Sequence, residues 1–284
     1  MLYLLMASLI WAFSFGLIKT SLTDLDPNTV SFTRLALSLL MFIPLLSLKK
    51  LKQNRVIAKL FFIGTIQFGV MYTAYIYSFH FLKAYEVAIF TILTPIYVTL
   101  INDLINRKRL DMPAIFSAII AIIGAGYIVY SKFSNNIFIL GVILVQASNL
   151  CFAIGQVYYK RIMHKNPELK GHNIFAVLYA GGAIFCLLMS FISGGWHNFA
   201  PNKEQISALI YLGIIASGIG FFLWNLGAVK AKAPTLAIMN NAKIPLAVLC
   251  SVLIFNETAD WKRLIIGGGI MLIAVIIAEK DNIH

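Results

Sequence analysis

The sequence predicts an all-α membrane protein of ten transmembrane helices, arranged as two inverted five-helix repeats over residues 1–132 and 137–284. Three observations carry that prediction. The chain is 60% hydrophobic and 12% charged with a mean hydropathy of +0.85, against about 25% charged residues in a soluble domain. Ten windows are long enough to cross about 30 Å of hydrocarbon, which takes about 20 residues. Basic residues crowd into alternate connections, and the two halves carry related segments.

The windows are 2–18, 28–48, 58–78, 85–102, 112–130, 137–159, 173–191, 204–227, 233–255 and 261–278. The first has no basic n-region and no small-residue cleavage site, so it reads as a retained span. Residues 116–129 in the fifth and 264–277 in the tenth are apolar almost throughout, which excludes the alternating strands of a barrel. The segment from Gly194 to Pro201 reads as an interfacial loop anchored by Trp196.

One set of connections holds fifteen Lys and Arg residues, among them Lys49, Lys50, Arg107, Arg109, Lys160, Arg161 and Lys280; the other holds six. This bias places both termini of the multi-pass chain in the cytoplasm. The net charge of +12 is accounted for by these loops and implies lipid headgroups, not nucleic acid, as partner. Cys151, Cys186 and Cys250 lie within spans and lack ligand-like spacing. No metal or cofactor is expected.

The halves align over the stretch from Ser8 to Lys19 and that from Asn149 to Lys160, sharing Leu, Ala and Lys. Pro95 in the fourth span and Pro245 in the ninth stand in equivalent places as helix kinks. Five spans per repeat inverts the second half, an arrangement common in secondary transporters with a midplane substrate site. Each proline removes the hydrogen bond to the carbonyl four residues earlier, that of Thr91 or Asn241. Both kinks are expected to face the bundle interior, where such carbonyls find partners.

Polar groups at membrane depth mark candidate substrate contacts, because each opposes insertion unless it is paired or faces a wet cavity. The ninth span offers Asn240, Asn241 and Lys243, with Asn240 and Lys243 on one face. The others are Gln67 and Tyr72 on the third span, Thr91 on the fourth, the i, i+3 pair Gln146 and Asn149 on the sixth, and Trp224 with Asn225 on the eighth. Trp11 and Trp224 could stack on a flat ring. Interhelical hydrogen bonding and aromatic packing are the competing structural readings of these residues. Lys243 is an anion anchor, a neutral amine, or a cation that snorkels or pairs with a carboxylate. Arg34 reads as an orientation or structural group. Glu86 is the candidate for a coupling proton. Glycines at 124, 126 and 267–269 allow close helix contact within the monomer or between two copies in a homodimer.

This pattern resembles the drug/metabolite transporter superfamily in its EamA branch, over nearly the whole chain. Within that branch it is most similar to bacterial biotin transporters, through residues 11–15, 67–72, 90–95, Asn149 with 152–155, 216–220 leading to Trp224 and Asn225, and 238–241 with Pro245. The resemblance implies a central cavity lined by spans 1, 3, 4, 6, 8 and 9 and open to each side in turn. It also implies uptake of a small carboxylate-bearing metabolite such as biotin. The amides would complement the ureido ring, Trp and Tyr the fused rings, and Lys243 the carboxylate. An exporter of amino acids or related metabolites is the alternative. A membrane-embedded enzyme is remote, because the loops hold no acidic metal-binding pair or His/Glu cluster.

Overall fold

The computed structural model describes residues 2–47, 54–105, 116, 119–120, 122–124, 126–127, 136–197, 199–231 and 233–280, and among them every regular element is helical. In chain order these are α1 (Leu2–Ser21), α2 (Pro27–Leu45), α3 (Asn54–Ser78), α4 (Ala84–Ile105), α5 (Asn136–Lys165), α6 (Gly171–Ile192), α7 (Lys203–Lys230), α8 (Ala233–Leu253) and α9 (Trp261–Lys280). The first seven are each long and apolar enough to cross a bilayer. The expected fifth span, and with it the junction between the repeats, falls largely outside the described residues.

Local chemistry sets the helix starts. Asp26 accepts from the Thr29 amide at 2.8 Å ahead of Pro27, whose fixed φ suits the first helical position. Asn202 and Gln205 cap α7 reciprocally, at 2.9 Å each. Two helices change pitch midway: α3 runs through a π-helical stretch at Thr65–Val70 and α7 through one at Tyr211–Gly220. Such stretches alter the backbone bonding pattern and often mark functional sites.

The halves interlock. Helix α2 lies along α6, α1 along α8, α3 on α6 and α5, α4 on α5 and α8, and α7 on α1 and α2. Close approach depends on glycine where α3 meets α6: a Cβ on Gly64 would strike the Leu178 backbone, and one on Gly181 the Phe61 carbonyl. Leu9, Phe62, Ile143, Leu188 and Ile192 are exposed on the outer face, where lipid would cover them.

Ahead of Pro95 the chain tightens into a 3₁₀ turn at Thr91–Leu93, and the Thr91 carbonyl accepts from both the amide and the hydroxyl of Thr94, the latter at 2.7 Å. The second proline differs from expectation. Pro245 faces outward and is exposed, not turned to the interior. Helical periodicity is the reason: Asn240, Lys243, Ile244, Ala247 and Val248 form the buried stripe of α8, and position 245 falls outside it.

Candidate functional site

A cavity lies between helices of both halves, lined by α1, α2, α3, α4, α5, α7 and α8. The π-helical stretch of α7 organises one wall, since its carbonyls accept from side chains of three other helices. Trp11 Nε1 donates to the Ala216 carbonyl at 2.9 Å, Ser38 Oγ to Gly213 at 2.7 Å, and Tyr179 Oη to Ser217 at 2.6 Å.

Trp11 is thereby held against Phe221 (ring centres 4.7 Å apart) and Trp224 (5.3 Å), with Phe152 edge-on at 6.4 Å. These rings make an apolar wall. Opposite chemistry comes from two cations, Arg34 and Lys243, while no Asp or Glu is among the lining residues. Lys243 Nζ donates to Asn240 Oδ1 at 3.2 Å and stands 5.2 Å from the centre of the Trp11 ring, close enough for a cation–π contact.

Arg34 is 2% exposed. Its Nε and Nη2 both donate to Ser217 Oγ, at 3.3 and 3.2 Å, and Nη2 also reaches Tyr72 Oη at 3.2 Å. The guanidinium carbon lies 4.3 Å from the centre of the Tyr72 ring, and Tyr72 Oη and Ser217 Oγ share a 2.8 Å hydrogen bond. Nη1 makes no hydrogen bond to the described residues. Desolvating a cation costs several kcal/mol, so this cavity favours an anionic occupant.

Five of the predicted contacts, Trp11, Tyr72, Thr91, Asn149 and Lys243, meet at the cavity. Asn149 Nδ2 donates to the Phe90 carbonyl at 2.9 Å and to Gln146 Oε1 at 3.2 Å. Gln146 sits to the side: it donates to the same carbonyl at 3.3 Å and accepts from Tyr97. Trp224 and Asn240 line a smaller neighbouring cavity with Pro95 and Gln156. There Trp224 Nε1 donates to Gln156 Oε1 at 3.1 Å.

Two of the remaining predicted contacts line neither cavity. Gln67 is fully buried against Gly155, and Asn225 donates to the Phe221 carbonyl of its own helix at 3.0 Å. The side chain of Asn241 lies outside the described residues. Glu86 stands at the start of α4, where its carboxylate accepts from the Lys83 amide at 2.9 Å and from Tyr85 Oη at 3.4 Å. This is a helix-capping position away from the cavity. Arg34, Ser14, Tyr75, Thr94, Ser148, Phe152 and Phe221 line the cavity although the sequence did not single them out as contacts. A full cation at membrane depth was the available signal for Arg34.

The family model described as the EamA-like transporter family matches residues 1–130 and 139–279. The chain is 36% identical over 281 residues to a protein of Salmonella typhimurium named biotin transporter, covering 99% of this chain and 93% of that one. It is 35% identical to the biotin transporter of Escherichia coli strain K12, with the same coverage. Identity to a probable biotin transporter of Pseudomonas aeruginosa is 36%, covering 96% of this chain and 95% of that one. A crystal structure at 18% identity superimposes with a TM-score of 0.73, covering 100% of this chain and 98% of the other; that likeness is one of fold.

Proposed function

The chain belongs to the EamA-like transporter family, and we infer that it is a secondary transporter that carries biotin into the cell by alternating access. One observation of the site carries the reading: a cavity between the halves has an aromatic wall and two cations without a carboxylate. Biotin has matching parts. Its fused rings suit Trp11, Phe152 and Phe221, its ureido group suits the hydrogen-bonding side chains of Asn149 and Thr91, and its carboxylate suits a cation. The names of the relatives point to the same substrate.

Ten spans in two inverted repeats, 1–132 and 137–284, supply the mechanism. The helix pairing supports this, because exchanging α1 to α4 with α5 to α8 maps each of the largest helix contacts onto another of them. The pitch changes in α3 and α7 exchange too. Rocking of one repeat against the other would then open the cavity to each side in turn. The bias of basic residues puts both termini in the cytoplasm and the protein in the inner membrane. Trp224, Asn240 and Lys243 form the side of the site toward the smaller cavity.

The test is growth. Expression in a biotin auxotroph without its own uptake system should restore growth on trace biotin. Failure to do so, with the protein present in the membrane, would overturn the biotin reading.

A further inference from the structure

One nitrogen of the Arg34 guanidinium, Nη1, has no acceptor among the described residues. Nε and Nη2 are fixed by Ser217 and Tyr72, whose hydroxyls are bonded to each other. The Ser217 backbone is fixed in turn by Tyr179. This frame spans α2, α3, α6 and α7 and leaves Nη1 without a hydrogen bond among the described residues. No ion pair to Arg34 occurs among them, and the cavity it lines contains no acid. Buried charges that are only structural are usually paired with an opposite charge; here two hydroxyls and the face of the Tyr72 ring hold the guanidinium, and no carboxylate is among its described partners. Lys243 is met instead by the amide oxygen of Asn240 on its own helix and by the face of the Trp11 ring.

We propose that Arg34 is the carboxylate-recognising residue of the site, and that through it the transporter selects monoanionic carboxylates over their neutral analogues. The assignment rests on the transport reading above. Ser217 and Tyr72 act as positioning residues that hold the guanidinium. An acid entering the cavity would engage the Arg34 guanidinium that lines it in a charge-assisted hydrogen bond, which a neutral amide or ester cannot match. Nothing in the aromatic wall distinguishes the two forms, so discrimination falls to this cation.

The measurement is uptake of labelled biotin in whole cells, with unlabelled biotin and its primary amide as competitors. In the wild type the amide should compete about tenfold more weakly than the acid, the worth of one charge-assisted hydrogen bond. In Arg34→Gln the two should compete within about twofold of each other. A strut would lose affinity for both equally and keep their ratio, so an unchanged ratio overturns the assignment. If Arg34→Gln carries nothing, ligand-induced thermal stabilisation of the purified protein reads the same ratio. If it does not accumulate, Arg34→Lys does so, with the preference falling by about threefold or more. A wild type that takes up no biotin overturns the transport reading together with this one. A wild type that takes it up while the variants discriminate as before overturns this one alone.

Discussion

The side-chain amide of Asn149 donates to the carbonyl of Phe90 at 2.9 Å, tying α5 to the point where α4 tightens ahead of Pro95. The bond joins the two halves at the edge of the cavity. Asn149→Leu removes it and leaves the longer contact from Gln146. The expected loss is about 1 kcal/mol of stability, within the usual range for interhelical bonds in bilayers. Thermal unfolding of the purified protein in detergent measures it. Gln146→Leu should cost less, and the two changes together more than either.

Lys243 and Asn240 should behave as a unit, since the amide oxygen holds the ammonium at 3.2 Å. Each of Asn240→Leu and Lys243→Met should raise the KM for biotin by about fivefold, and the double variant should be little worse than the poorer single one. Multiplicative effects would mean that the two side chains act separately.

Glu86 caps α4, and its substitution tests whether that is all it does. Glu86→Gln keeps the shape but weakens acceptance from the Lys83 amide, a loss of about 1 kcal/mol by analogy with other N-caps. Whatever response to a protonophore the wild type shows in uptake should persist in the variant. Loss of that response alone would return Glu86 to a role in coupling.

Much of this was legible in the sequence, and the parts that were not share a cause. Composition and window length reveal the helices because the bilayer imposes a length and a polarity on each one. Trp11, Asn149 and Lys243 are visible for the same reason, as groups that hydrocarbon penalises. Gln67 and Asn225 carry an equal penalty, yet one is buried beside Gly155 and the other bonds to its own helix. A single sequence does not separate a cavity wall from a helix interface. Arg34 was read as structural because its partners come from α3 and α7, and only packing brings Tyr72 and Ser217 to it. The outward position of Pro245 was within reach, since the spacing of Asn240, Lys243 and Ala247 already defines the inner stripe of α8.

Glu257, in the turn after α8, accepts from the amides of Ala84 and Tyr85 at 2.8 and 3.1 Å, and Lys83 Nζ donates to Thr258 at 2.7 Å. These contacts join the two halves at the start of α4, among the connections poor in basic residues and hence on the expected outer side. Conformations open to that side must break them. Glu257→Gln replaces charge-assisted bonds with neutral ones and should shift the population toward outward opening, by about tenfold for each 1.4 kcal/mol lost. The shift can be read in a background with Cys151, Cys186 and Cys250 replaced and with Ser14→Cys as a cavity probe. An impermeant maleimide added to whole cells should then label the probe several times faster in the Glu257→Gln variant. Faster labelling only from the cytoplasmic face of inverted vesicles would reverse the assigned orientation, and no change in rate would show that Glu257 does not hold the cavity shut.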